Sequence, residues 1–530
     1  MTSTFFGLEI GRRALNAQQG ALDVTAHNVS NANTTGYSRQ IANLTATTPY
    51  TIQAPGREES LGSGVAMDTV TRARDKFVDL QLRNETSKQQ YWTNRETNLT
   101  SIQSAMNEAS SSGSGSGLSS DMNSFWSAWS DLSSDPQNSG SRAVVQETAV
   151  TLTDTFHSIY NQLKTEQSNI DTDIQDQVGQ INTYAKQIAA LTQQIQEAQS
   201  TGDNPNDLMD NRDNLIDNLS KIVSVNVKES TDSANPKVTD FELDIGSGSQ
   251  VLVSNDKAYQ LKTSSSVPTN TSTDNPSIGG NSFTNITWDA SYYLPDGTSS
   301  LIGSSDPGYA QAGTSPSLGA QTGTLQSDID IRNTDLPTLV GKYNSLASGI
   351  VSAVNAIYTQ AGTPTPTDNF FDSTGTTAST IALESGGSYP VDPSSDTNIN
   401  NIVAGISGSG DGTVASEIAN LATGWPMMPA SSGVNLSSLQ STYGTSLGSY
   451  YDAAVSGFGV KVQEASGMKN GEDALVTNLT NQRDAVSGVS IDEEMTNMIQ
   501  YQKSYTAAAR VVTTIDDMLN TIVTGLGITR

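Results

Sequence analysis

Four groups of carboxylates lie close enough in sequence to share a proton: Asp171/Asp173/Asp176, Asp207/Asp210/Asp213, Asp492/Glu493/Glu494 and Asp516/Asp517. Such groups do acid–base or glycosidic chemistry only where a cleft raises the pKa of one member. All four fall in stretches with helical periodicity, where carboxylates read as solvated faces or as first-turn charges favoured by the dipole. Asp492 to Glu494 fits the start of a helix, with Ser490 as N-cap and Glu493 three residues on, a capping-box arrangement. Asp210, Arg212 and Asp213 read as an ion-pair cluster against a neighbouring long helix. The two histidines, His27 and His157, are far apart and lack the i, i+4 spacing of a helical zinc pair. His27 reads as a helix-end residue. There is no G-x-S-x-G elbow, no phosphate-binding glycine loop and no cysteine. The expectation is therefore no catalytic, cofactor-binding or metal-binding residue, and no enzyme.

Without a site to position, the informative pattern lies at the two ends. Leu8, Leu15, Leu22 and Val29 recur every seven residues, and Met498, Tyr501, Tyr505, Ala508, Val512, Ile515, Leu519 and Ile522 alternate by three and four. That alternation keeps one narrow apolar seam on a helix, which is what pairing with another helix requires. Seams at both extremes imply ends that meet each other, or meet neighbours, in an assembly.

Over 530 residues, 35% are hydrophobic and 6% aromatic, low values that favour elongated helices and small β units over one thick core. A net charge of −28 without a basic run repels nucleic acid and anionic membranes. No stretch approaches the ~18 to 20 apolar residues that span a bilayer, so no membrane insertion is expected. The N-terminus, Met1 to Gly11, has no cleavable secretory signal pattern. A cysteine-free chain of this kind is compatible with export unfolded.

The fold reads as mainly α with an inserted β domain: coiled-coil-like terminal helices, a bundle of long helices, then a distal small β domain. Residues 4 to 33 form an amphipathic helix that ends in the Asn-rich stretch Asn28 to Gln40, where Asn and Ser side chains compete for the backbone and Gly36 permits positive φ. Ile41 to Ala46 is extended, and 50 to 66 is a connector. Helix follows from about Thr71 to Ala109, then a Ser/Gly linker at 110–117. A short aromatic helix leads to one of about 58 residues, roughly 85 Å long at ~1.5 Å per residue. A further helix covers Asn206 to Lys221. Period-two alternation at Val223, Val225, Val227 and again at Phe241, Leu243, Ile245 marks β structure. Helix returns near Thr324, and Leu447 to Gly488 is long helix. The domains expected are 1–60 with 488–530, terminal and assembling; 61–227 with 321–487, the helix bundle, with a loop excursion at 361–435; and 228–320, the β insertion.

Asn28, Asn31, Asn33, Thr34, Gly36 and Tyr37 resemble the N-terminal signature of bacterial flagellar rod, hook and hook-associated proteins. Arg39-Gln40, Asp207 to Asp213, Val354 to Ile357 and Val486 to Glu494 look like the hook-associated branch that joins hook to filament. The resemblance covers most of the chain and is weakest across 228–320 and 361–435. It implies an extracellular structural subunit exported without cleavage and a helical homo-oligomer. It also implies contacts with hook protein and with downstream hook-associated or filament proteins, and an export chaperone at the C-terminal helix. Another axial subunit (hook or distal rod), or a surface adhesin acting through the β insertion, are the alternatives.

Overall fold

A computed structural model describes residues 5–54, 57–106, 117–248, 250–266, 277–360, 368–408, 410–426 and 435–526. Helix α1 (Phe6–Asn31) leads to strands β1 (Gln40–Ala46), β2 (Tyr50–Ala54), β3 (Arg57–Leu61) and β4 (Val65–Arg72). Helices α2 (Lys76–Ala105), α3 (Leu118–Ser134), α4 (Ser139–Thr201) and α5 (Asn206–Ile222) precede a run of strands, β5 (Val225–Thr231), β6 (Thr239–Ile245), β7 (Gln250–Ser254), β8 (Lys257–Ser266), β9 (Phe283–Tyr293) and β10 (Ser299–Leu301). Then come α6 (Gly323–Asp330), α7 (Leu336–Tyr358), α8 (Thr413–Asn420), α9 (Ser437–Tyr443), α10 (Leu447–Ser487) and α11 (Ile491–Leu526). Among the described residues the architecture is mainly helical, with an inserted six-stranded antiparallel sheet, two small two-stranded sheets, and the first and last helices, α1 and α11, side by side.

Some helices begin where a side chain satisfies their free backbone groups. Asp75 caps α2 by accepting from the amides of Phe77 and Val78. Asn138 caps α4 through Gly140 N (2.8 Å), and Gly202, at φ 95°, closes the same helix in the left-handed conformation that glycine tolerates. Helix α4 runs 63 residues unbroken, about 95 Å at 1.5 Å per residue. Its buried row, from Val145 through Phe156, Leu163, Ile174 and Ile188 to Ile195, faces α3, α5, α6, α7 and the β sheet. The row slips near its middle by a second four-residue step that buries Gln167, which donates to Arg332 O (3.0 Å) and accepts from Ile278 N (2.9 Å). Between α6 and α7 the backbone widens into a π-helical turn, Ile331–Asp335.

Sheet order is β10-β9-β8-β7-β6-β5, antiparallel throughout, each strand pairing with its sequence neighbour. The β6 strand of the β6–β7 hairpin matches the alternation read at Phe241, Leu243 and Ile245, and these residues and Val251 are all buried.

Several boundaries differ from the sequence expectation. Residues 50 to 66 are not a connector: β2 pairs with β3, and β4 pairs back onto β1. The extended stretch expected at Ile41 to Ala46 falls in β1, whereas the sequence does not mark its partner β4 as a strand; the β1–β4 ladder rests on α1, which blurs the alternation of β4. Helix α2 starts at Lys76 rather than Thr71, because Thr71 and Arg72 belong to β4. The Ser/Gly linker expected at 110–117 lies outside the described residues apart from Gly117, as do 361–367 and 427–434 of the excursion near 361–435. Within that excursion Phe370 and Phe371 are fully buried against Phe125 and, for Phe370, Trp129.

Candidate assembly site

Helices α1 and α11 lie antiparallel, and their contact is made by small residues. A Cβ added at Gly7 would sit 2.9 Å from Ile515 Cδ1, and one at Gly11 only 2.5 Å from Val512 Cγ2. Gly7, Gly11, Ala14, Gln18, Ala21, Thr25 and Asn28 recur by four and three, and of these Gly11, Ala21, Thr25 and Asn28 are fully buried. Small residues let two backbones approach closely, so the larger α11 side chains fill the space. Met498, Tyr501, Ala508, Val512, Ile515 and Leu519 are half-buried along α11, whereas Tyr505 is 37% and Ile522 47% exposed. Leu8, Leu15, Leu22 and Val29, one position beyond the small-residue row, are only half-buried. The face of α1 turned to α11 is thus the glycine–alanine row, not the leucine row.

Asn28, 1% exposed, is the hub between this pair and the turn that follows α1. Its Oδ1 accepts from Tyr37 Oη (2.8 Å) and from Gln40 N (2.9 Å), while its Nδ2 donates to Gln40 O (2.8 Å) and to Glu494 Oε2 (3.1 Å). One amide therefore ties α1, the turn, β1 and the first turn of α11, with its main bonding capacity used. Burial, with the carboxylates of Asp207, Asp210 and Glu494 nearby, pushes the Tyr37 phenol above its ordinary pKa, which keeps it a proton donor. His27 Nδ1 stands 3.1 Å from Tyr37 Oη, and its Nε2 lies 3.7 Å from Asp207.

The rest of the signature builds the turn. Asn31 Nδ2 donates to His27 O (3.1 Å), Thr34 Oγ1 donates to Asn31 Oδ1 (3.2 Å), and Gly36 takes φ 81° beside Asn214. Asn33 is exposed. Ser38 donates to Asp210 twice, from N (2.8 Å) and Oγ (2.7 Å), and Gln40 Nε2 donates to Asp207 Oδ1 (2.7 Å). Arg39 N donates to Ser487 O (2.8 Å), and its guanidinium lies 3.1 Å from Glu493. The turn thereby joins α1 to both α5 and the α10–α11 junction.

Behind it sits an ionic cluster whose partners differ from those expected of Asp210, Arg212 and Asp213. The neighbours are β4, α2 and β5, not the long helix α4. Arg72 bonds Asp210 and Asp213 (both 2.7 Å), Arg74 bonds Asp213 (2.9 Å) and Asp79 (2.8 Å), and Arg83 bonds Asp217 (2.6 Å). Arg212, 3% exposed, pairs with Glu229 (2.7 Å) and stacks 4.0 Å over the Phe241 ring. The arginines outweigh burial and hold the Asp213 carboxyl far below the usual carboxylate range. The reading of the carboxylate groups as solvated faces fails here and at two further places. Asp171 is 6% exposed and bonded to Arg332 and Thr284, and Glu494 is 3% exposed. Their partners lie 100 or more residues away in sequence, so nothing local marks them. Ser490 does cap α11, accepting from Glu493 N (3.4 Å), but Glu493 turns to Arg39.

Two features escaped sequence reading: the small-residue row of α1, and Glu494 as the partner of Asn28. The four-and-three spacing from Gly7 to Asn28 carries the first signal. Among the described residues no group of three or more His, Cys, Asp or Glu is placed to hold a metal, and no helix is long and apolar enough to cross a membrane.

Terminal helices paired through a close seam, braced by an Asn-centred turn and mounted on a long-helix body, define an axial assembly subunit. The family model described as flagellar hook-associated protein FlgK helical domain matches residues 99–371. The model of the flagellar basal body rod FlgEFG protein C-terminal region matches 481–525, and that of flagella basal body rod protein matches 8–37. The chain is 30% identical to flagellar hook-associated protein 1 of Bacillus subtilis (strain 168) over 541 residues, covering 100% of this chain and 99% of that one. It is 35% identical to flagellar hook-associated protein 1 of Salmonella typhimurium over 215 residues, 40% of this chain and 37% of the relative. The solved flagellar hook junction protein FlgK of Burkholderia pseudomallei superposes with a TM-score of 0.54 at 15% identity, covering 77% of this chain and 100% of that one, a likeness of fold. The chain belongs to the flagellar hook-associated protein 1 family.

Proposed function

We propose that this chain is a structural subunit of the extracellular flagellum that forms the junction between hook and filament and has no catalytic role. The observation that carries the reading is the division of α1 into two rows. The small-residue row meets α11 within the subunit, and the row Leu8, Leu15, Leu22, Val29 is left half-exposed beside it. A leucine row on a helix already paired through another face is suited to a neighbouring subunit. The signature residues Asn28, Asn31, Thr34, Gly36 and Tyr37 act as the brace between terminal pair and body, and Asn33 sits exposed on the turn. We take the assembling unit as 1–72 with 488–530, extended past the expected bound of 60 because β4 pairs with β1 and packs on α1, with 73–227 and 321–487 as the helical body and 228–320 as the outer β domain. The partners are further copies of the chain, hook protein on one side, filament-side proteins on the other, and an export chaperone on the C-terminal helix. A helix with one apolar seam is marginal in water and gains stability by docking, so assembly is the step that orders the ends.

The test is a deletion strain viewed by electron microscopy. Hooks without filaments, with filament protein lost to the medium, are expected, and normal filaments would overturn the reading. Complementation with Leu15→Glu and Leu22→Glu together should give a secreted, folded subunit that is not retained on hooks.

A further inference from the structure

The long helix α10 changes character halfway along. Up to Ala465 it belongs to the core: Leu447, Tyr451, Phe458 and Ala465 are buried, with Val455 and Val462 packed beside them. From residue 466 to 486, all of them described, no side chain is buried; only Ser487 in the last turn is. What holds this second half against α2 is polar. Lys469 Nζ lies 2.9 Å from Glu96 Oε2, and Gln89 Nε2 donates to Asp473 Oδ1 (2.7 Å). Burial and the neighbouring Glu85 push the Glu472 carboxyl above its ordinary range, Lys88 contacts Glu85 at 3.1 Å, and Arg483 reaches Asp217 of α5 at 3.5 Å. Ion pairs that stay partly in water contribute little, because screening and lost side-chain freedom offset the attraction.

The backbone of this half is weak as well. Gly467 and Gly471 have open space where a Cβ would stand, so no close packing requires them, and glycine inside a helix lowers its stability. Asn470, Thr477, Asn478 and Asn481 are poor helix formers too. Without an apolar face to bury, nothing compensates for these deficits.

We infer that α10 is two mechanical units: residues 447–465 are a fixed part of the body, and residues 466–487 are a strap that loosens from α2 as one piece. The chain crosses between body and terminal pair twice. The crossing from β4 to α2 runs through Arg72-Ala73-Arg74, clamped by Asp210, Asp213 and Asp79. The crossing from α10 to α11 runs through the strap. When the strap loosens, the terminal pair stays held to the body by the Arg72–Arg74 clamp and by the signature turn on α5, where Ser38 donates to Asp210 and Gln40 to Asp207.

Hydrogen exchange of the full-length chain, resolved by mass spectrometry, tests this. Amides of 466–487 should exchange at least roughly tenfold faster than those of 449–465, with a step near residue 466. Equal protection in both halves overturns the inference. So does a smooth decay inward from residue 487, which is end fraying. Because the chain has no cysteine, the pair Q89C/D473C gives a clean staple. Closing its disulfide should bring the strap to within about twofold of the anchored half, and reducing it should restore fast exchange. Fast exchange with the staple closed would mean the helix unravels without undocking, and the strap would be wrong.

Discussion

Replacing Asn28 with Asp changes one group at the most connected point of the terminal pair. The Oδ1 acceptor for Tyr37 Oη and Gln40 N survives. The Nδ2 that donates to Gln40 O (2.8 Å) and Glu494 Oε2 (3.1 Å) becomes a second acceptor. A carboxylate then faces Glu494, itself 3% exposed, and two unit charges about 4 Å apart repel by ~4 kcal/mol at an effective dielectric near 20. The Gln40 carbonyl also loses a partner, worth ~1 kcal/mol or more where water cannot replace it. A shared proton relieves part of the repulsion, so ~4 kcal/mol is the expected loss in the α1–α11 contact, about a thousandfold in its docking equilibrium. The assay is retention of the subunit on isolated hook–filament complexes, against the amount in the medium, in a deletion strain expressing N28D at neutral pH. Retention should fall sharply while the secreted protein keeps its helical circular dichroism. The N28D/E494Q double variant removes the repelling charge and restores a donor, so it should recover much of the loss. Wild-type retention of N28D, or failure of E494Q to rescue it, would refute the role given to this contact.

Three further outcomes follow from the same geometry. Asp213→Ala strips a shared partner from Arg72, Arg74 and Arg83; breaking such a pair from one side costs ~3–5 kcal/mol and should lower the calorimetric Tm by on the order of 10 °C. Because its folded pKa is depressed, Asp213 stabilises the chain above about pH 4 and the stabilisation drains as pH falls further, so the variant should show a flatter acid limb. Asp328 has the opposite sign. Burial raises its carboxyl from 3.8 to about 6, despite donors from Asn94, Asn98 and Gln177. Its stabilising protonated form is present below about pH 4 and lost as pH rises through about 6, an amplitude of at most ~3 kcal/mol. Denaturant titrations of Asp328→Asn should lack that slope between pH 4 and 6. Gly11→Val places a stiff, branched side chain 2.5 Å from Val512 Cγ2, and overpacking of ~1–3 kcal/mol should reduce retention on hooks without lowering the Tm of the body. Gly179→Ala, in open space on α4, is the control and should stabilise the body by up to ~1 kcal/mol.

Where a helix buries one face, the sequence declares it. The α4 row from Val145 to Ile195 is legible because most of its buried positions are apolar and recur by three and four, polar Gln167 and Asp171 being among the exceptions, and the β6–β7 hairpin is legible because its period is two. The signature turn was found by resemblance, and its residue types agree with its shape, Gly36 supplying the positive φ. Of the β1–β4 ladder, β1 is legible as extended but β4 is not, because the ladder is half covered by α1 and half exposed and its polar and apolar residues do not alternate cleanly. Glu494 could not be told from a solvated acid, and Asp210 and Asp213, legible as an ion-pair cluster, could not be matched to their partners. A carboxylate's burial depends on which cation or amide folding brings to it, and theirs come from β4, α2 and α1.

The leucine row shows the limit of reading apolar periodicity most plainly. Hydrophobicity marks residues that gain by leaving water, but it does not say against what. On α1 the row that gains most is left only half-buried within the subunit, while the row facing α11 contains Gly7, Gly11, Ala14 and Ala21, which have little surface to bury. Had α11 docked on the leucines, the two axes would stand farther apart, and the Asn28 amide could not reach Glu494 while also holding the Tyr37–Gln40 turn. The short distance set by the glycines is what brings that polar contact within 3.1 Å. Close approach within the subunit and apolar surface left for neighbours are therefore two consequences of one choice, the placing of small residues on one row and leucines on the next.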